Sequence, residues 1–315
     1  MPSVLFAYKP PLDYAERADD VRVQQAASTL DSAQLATSHP EAEALITLIT
    51  HRIDSQVLTC RPALRVVANV AAGIDNIDVA AASRLGILIC NVPGAVEETT
   101  ADLTFGLTIS ACRQLTAAEQ QLRTGRWTRW ELDANLGMDV HDPNLGLVGF
   151  GAIGQAVVRR ASGFGMTVRH HTRRPGRPGW IASLLELLEN ADIVSVHVPL
   201  TADTIGLIGP RERSVMKPSA VLVNTSRGGI VDEEALAAAL EEHRLFGAGL
   251  DVFVGEPAVN PRLMDSPRIT LLPHIGSATL ATRRRMETRA FEAALAAVRG
   301  VVPNGAVNAE SWQRR

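Results

Sequence analysis

Ten short apolar runs, "SVLFAY", "ALITLIT", "LRVVANV", "ILICNV", "LGLVGFG", "MTVRHHT", "DIVSVHV", "AVLVNTS", "GAGLDVF" and "RITLLPH", recur along the chain between stretches of helical pattern. Each is too short for a helix, most are rich in β-branched residues, and Gly or Pro bounds many of them. Continuous apolar runs of this kind belong to strands covered on both faces, which is the condition of a parallel sheet with helices on either side. The expected fold class is therefore α/β with parallel sheets.

The runs fall into two groups. A long helical segment beginning near Thr99, "TTADLTFGLTISACRQLTAAEQQLRTG", separates the first four from the last six. A second helical stretch from about Arg283, "RRRMETRAFEAALAAVRG", comes after the last run and can cross back to the first domain. At 315 residues, with 46% apolar content, the chain has material for two buried cores.

Charge narrows the function. A formal charge of −3 excludes a globally basic surface, so bulk electrostatic binding of nucleic acid is not expected. Cys60, Cys90 and Cys112 are widely separated and lack metal-site spacing, which suits reduced thiols in the cytoplasm. No metal site is expected. The apolar run at the start is too short for a signal peptide, and no other run approaches a membrane span.

The stretch "LGLVGFGAIGQAVVRRASGFG" sets Gly149, Gly151 and Gly154 in G-x-G-x-x-G spacing, directly after a strand and opening a helix with Ala152 and Ile153. Glycines there permit a tight turn and close approach of a pyrophosphate, while the helix start offers unpaired N–H groups. The spacing alone also fits an ordinary glycine-rich turn; the strand before it and helix after it favour dinucleotide binding.

At the end of the next strand an Asp or Glu normally takes the adenine-ribose hydroxyls of NAD. Thr172 stands there, with Arg173 and Arg174 directly after it. A hydroxyl and two guanidiniums suit a 2′-phosphate through charge-assisted hydrogen bonds, so NADP(H) is preferred and NAD(H) stays possible. The alternative is a solvated basic turn including Arg177. His170 and His171, adjacent on the strand, face opposite ways and are not expected to act as a pair.

Three polar residues come after later strands: Arg227 in "LVNTSRGGIVDE", Glu256 in "GLDVFVGEP" and His274 in "LLPHIGSAT". Ligands of open α/β sheets bind beyond the carboxyl ends of strands. Arg227 could fix and polarise a 2-oxo acid, His274 could protonate its carbonyl oxygen, and Glu256 could stabilise the imidazolium. Taken singly, each also reads as a surface Arg, a turn Glu before Pro and a capping His.

These motifs, with "VANVAAGIDNIDVAAASRLGILICNVPG", "TADLTFGLTISACRQL" and "VSVHVPLTADTIGLIG" in the same order, resemble the D-isomer-specific 2-hydroxyacid dehydrogenase family over nearly the whole chain. Within it the wording is most similar to glyoxylate/hydroxypyruvate reductases and 2-ketogluconate reductases. The resemblance implies two Rossmann or flavodoxin-like domains: a dinucleotide-binding domain over 99–283 and a discontinuous substrate domain from 1–98 and 284–315. It implies that Arg227, Glu256 and His274 are the catalytic set. The amides near Ala72 and Gly73 would then hold the substrate carboxylate, with Thr104, Thr225 and Asp251 near the nicotinamide and Val198 and Pro199 beside the adenosine. It also implies a homodimer acting on a small 2-oxo acid. Thr172 departs from the NAD-binding Asp, and "VAAG" departs from the commoner substrate-loop wording. Alternatives that share these residues are a keto-sugar-acid reductase, an NAD-dependent dehydrogenase oxidising D-2-hydroxy acids and a dinucleotide-sensing corepressor.

Overall fold

The computed structural model describes residues 1–14 and 18–312. The chain divides into two compact units, one formed by Met1–Val96 with Thr279–Arg315 and the other by Glu97–Ala278. The expected bounds, 1–98 with 284–315 and 99–283, differ from these by two and five residues. One helix at these boundaries begins at Glu97, and the other is capped by Thr279, whose side chain accepts the amide of Thr282.

In the first unit, β1 (Ser3–Phe6), β2 (Arg22–Gln25), α1 (Ser32–Thr37), β3 (Ala44–Thr47), α2 (Ser55–Thr59), β4 (Val66–Asn69), α3 (Val79–Arg84) and β5 (Leu88–Cys90) occur in that order. The strands form a parallel sheet in the order β2-β1-β3-β4-β5. Because strand side chains alternate, Val4, Phe6, Ile46 and Ala68 enter one core while Leu5, Leu45 and Val67 enter the other. Asp54 and Asp78 cap α2 and α3 through their side chains. β2 is not among the ten apolar runs. It is an edge strand of sequence RVQQ with exposed ends, so nothing apolar marks it in the sequence.

The second unit holds α4 (Glu97–Arg113), α5 (Leu115–Arg123), β6 (Asn144–Val148), α6 (Ala152–Ala161), β7 (Thr167–His171), α7 (Leu184–Asn190) and β8 (Ile193–Val196). It continues through α8 (Pro210–Ser214), β9 (Val221–Asn224), α9 (Glu233–Glu241), β10 (Gly247–Leu250), α10 (Pro261–Met264) and β11 (Ile269–Leu271). Its parallel sheet has the order β11-β10-β9-β8-β6-β7. The chain leaves β6 for β7 on one side and returns to β8 on the other, so the strand order reverses between β6 and β8. A crevice at the carboxyl ends results from that reversal. Val148, Val196 and Leu222 pack with Leu188 of α7 and Leu240 of α9; Leu147 and Val223 pack with Phe105 of α4 and Val157 of α6.

The last helix, α11 (Leu280–Val298), belongs to the first unit, where Met286, Ala290, Phe291 and Ala294 complete the core around Val4 and Phe6. Among the described residues no helix is long and apolar enough to cross a membrane, and no group of His, Cys, Asp and Glu could hold a metal. All three cysteines are free, and burial pushes the thiols of Cys90 and Cys112 up to about 12.

Candidate active site

The three glycines after β6 do different work. Gly149 has φ +100°, and a Cβ there would lie 2.5 Å from the carbonyl oxygen of His197, so only glycine lets the loop pass under the chain leaving β8. A Cβ on Gly151 would meet nothing within 4 Å, whereas one on Gly154 would lie 3.0 Å from the Gly149 carbonyl. Gly151 is the N-cap of α6 and supplies no side-chain cap, so the first-turn amides, with Ala152 and Ile153 leading the helix, are offered to an anion. Open space at Gly151 beside an uncapped helix start fits a pyrophosphate.

Gly151 also borders a cavity of about 760 Å³ lined by Phe150, His170 and the turn from Thr172 to Arg177. The Thr172 hydroxyl donates to the Arg174 carbonyl at 2.7 Å, and the Trp180 indole donates to the Thr172 carbonyl at 3.0 Å. Thr172 therefore shapes the turn in this conformation. Arg173 lies 3.4 Å from the exposed carboxylate of Asp203, a weak surface pair, and Arg174 is exposed. Arg177, outside the expected site set, lies over the Phe150 ring at 5.5 Å. Phe150 in turn stacks on His170 at 4.0 Å. His170 is buried, and desolvation holds it below the ordinary histidine range; His171 turns the other way, its Nδ1 meeting the Ile181 carbonyl at 3.1 Å.

Arg227, Glu256 and His274 all lie in the second unit, after β9, β10 and β11. His274 Nδ1 and Glu256 Oε2 are 2.7 Å apart. The other carboxylate oxygen of Glu256 accepts the Phe253 amide at 2.9 Å. Burial raises the Glu256 pKa, but the bonds from His274 and Phe253, with the charges of His274 and Arg227, outweigh it and hold the carboxyl below its usual range. Gly228 brings the Arg227 turn against this one: a Cβ there would fall 2.0 Å from the Phe253 carbonyl carbon. Asn224 steadies the same turn by donating its side-chain amide to the Arg227 carbonyl at 2.8 Å.

His274 has φ +53°, a left-handed conformation that costs a non-glycine residue energy unless its surroundings impose it. Asp251 imposes it. Its carbonyl accepts the His274 amide at 2.9 Å, and its buried carboxylate accepts the amides of Ile275 and Gly276 at 2.7 and 2.8 Å. Burial raises the Asp251 pKa against those two bonds.

Thr104 and Thr225 are buried together, with hydroxyls 3.0 Å apart and that of Thr104 also donating to the Thr100 carbonyl. Val198 packs on the core beside Gly149, and the Pro199 carbonyl accepts the Thr204 hydroxyl at 2.6 Å. In the first unit, Ala72 and Gly73 come shortly after β4. Their carbonyls are taken by Asn91 at 2.7 Å and Asn69 at 3.0 Å. Those two bonds fix the peptide planes of the loop, and with them the direction of its N–H groups. No pattern in the sequence marks Asn69 or Asn91 for that task.

Comparison with known proteins places these features in a family. A model of the D-isomer specific 2-hydroxyacid dehydrogenase NAD binding domain matches residues 105–276. The glyoxylate reductase of Thermococcus litoralis is 41% identical over 278 residues, 85% of this chain and 84% of that protein. The crystal structure of the TT0316 protein from Thermus thermophilus superposes with a TM-score of 0.89 at 40% identity, covering 97% of this chain and 99% of the other. An NADPH-dependent glyoxylate/hydroxypyruvate reductase from Sinorhizobium meliloti, solved with NADP and malonate, gives a TM-score of 0.89 at 31% identity over 100% and 99% of the two chains. The chain belongs to the D-isomer-specific 2-hydroxyacid dehydrogenase family. It is an NAD(P)-dependent oxidoreductase.

Proposed function

We propose that this protein reduces small 2-oxo acids, glyoxylate and hydroxypyruvate first, to D-2-hydroxy acids, with NADPH preferred over NADH. The observation that carries the reading is the 2.7 Å contact between His274 Nδ1 and Glu256 Oε2. With Nδ1 committed to a carboxylate, Nε2 is the ring nitrogen left for substrate, and the imidazolium form can give a proton there. Glu256 orients the ring and compensates its charge. Arg227, whose own backbone is held by Asn224, supplies the cation that fixes the substrate and polarises its carbonyl. The amides of Ala72 and Gly73 take the substrate carboxylate. The nicotinamide cofactor supplies the hydride when bound.

For the cofactor, the glycine loop holds the pyrophosphate, and Arg174 and Arg177 face the cavity where a 2′-phosphate belongs. The absence of an acid at Thr172 and the NADPH dependence of the Sinorhizobium relative support the preference. Two observations favour a more permissive enzyme: the Thr172 hydrogen is spent within the turn, and Arg173 leans on Asp203.

The ratio of kcat/KM for NADPH over NADH, measured with hydroxypyruvate, decides between them. We expect a ratio above about ten, equivalent to about 1.4 kcal/mol of differential stabilisation, and a fall toward unity in Arg174→Gln. A wild-type ratio at or below one would return the arginines to a solvated turn. Turnover confined to bulkier keto acids would favour the keto-sugar-acid reading, and no turnover with either cofactor would favour the dinucleotide sensor.

A further inference from the structure

The turn that presents Glu256 is held from outside the catalytic set. Glu233, the first residue of α9, directs its Oε1 at the Val254 amide at 2.6 Å. The neighbouring amide, that of Phe253, is the one Glu256 Oε1 accepts. Two consecutive N–H groups are thus divided between two carboxylates. The two N–H groups flank Phe253, so holding both restrains the φ and ψ of that one residue.

The start of α9 is a firm base for this contact. Asp232 caps the helix by accepting the Ala235 amide at 3.0 Å, and its own amide donates to the Ile208 carbonyl at 3.0 Å. Glu234 is occupied with Asn260 and Arg262 at 2.6 and 2.7 Å. Gly228 seats the preceding turn directly on Phe253 and Val254.

We propose that Glu233 is a positioning residue for the Glu256–His274 pair, fixing the 253–256 turn so that one oxygen of Glu256 stays on its own backbone and the other stays on His274. Half-buried among Asp232, Glu234 and Glu256, the Glu233 carboxyl is raised by desolvation and by those three charges, a cost that its backbone bond partly offsets. An acid at the start of a helix ordinarily faces solvent and the helix dipole. This one instead reaches across to another loop.

The inference rests on the proton-donor role proposed for His274, and its test separates the two. Steady-state kinetics with hydroxypyruvate would be measured for Glu233→Ala, Glu233→Asp, Glu233→Gln and His274→Gln. Losing the acceptor that holds the Val254 amide, and with it the 253–256 turn, should lower kcat about tenfold in Glu233→Ala with the cofactor KM unchanged. Glu233→Asp keeps the charge but is one methylene short of Val254, and should be as slow. Glu233→Gln keeps an acceptor oxygen at the same reach and should restore most of the rate. A Glu233→Asp enzyme as fast as wild type, or a Glu233→Gln enzyme as slow as Glu233→Ala, would overturn the proposal. Should His274→Gln retain wild-type turnover, the proton-donor reading itself fails; should it be inactive while the Glu233 variants are unimpaired, only the positioning role fails.

Discussion

His197, just beyond β8, carries its backbone carbonyl over Gly149 and encloses its ring: Nε2 meets the Ser195 hydroxyl at 2.8 Å, and Nδ1 is shut off from solvent. Burial pushes its pKa down from 6.5 to about 4. The folded state then binds no proton here until about pH 4, while the unfolded chain takes one up below about 6.5. The unfolded state binds more protons across that window, so this residue's contribution to stability is lost as pH falls from 6.5 to 4. Thermal unfolding in a buffer series should show a shallower acid decline of Tm in His197→Gln than in wild type; parallel curves would refute the assignment. At this scale Arg227, Glu256 and His274 stood out because each lies after an apolar run in a turn of its own, where a buried strand would not place a charge. Glu233 was not, since nothing in "VDEEAL" distinguishes an acid that crosses to Val254 from one that faces water.

Helix α11 shows how an element can be plain in pattern and open in destination. Its Phe291 is 2% exposed and lies 5.9 Å from the ring of Phe6 and 4.7 Å from that of Tyr14, residues nearly the whole chain away. Truncating it removes a buried aromatic from the core that α11 closes. Phe291→Ala should therefore cost about 3–5 kcal/mol, read as a lower denaturant midpoint. A loss below about 1 kcal/mol would mean that the first unit does not depend on this helix. Most strands readable beforehand are buried along their length, as β1, β3, β8 and β9 are, although the edge strand β7 was read as well. β2 escaped because an edge strand with polar side chains has no apolar signature, and its pairing with β1 is visible only in register, from Ser3 opposite Arg22 to Phe6 opposite Gln25.

For the whole molecule we expect a homodimer. Helix α5 buries none of its residues, and the segment after it exposes Trp130 at 74%, Leu132 at 82% and Leu136 at 63%. Exposed apolar residues so close together ordinarily mark an interaction surface. Light scattering at micromolar concentration should give a dimer for wild type and a monomer for the double variant Leu132→Glu, Leu136→Glu; a monomeric wild type would remove the proposal. By itself, the sequence determined the parallel α/β class, the glycine loop, the basic turn and the order of the three polar residues that follow β9, β10 and β11, because these depend on local periodicity, on backbone freedom and on the polar turns that end buried strands. Only the tertiary structure decided that Arg177 lies over Phe150, and that Asp251 and Glu233 hold the turns bearing His274 and Glu256. Those are contacts between residues far apart in the chain, and spacing along a sequence carries no record of which distant amide a carboxylate will meet.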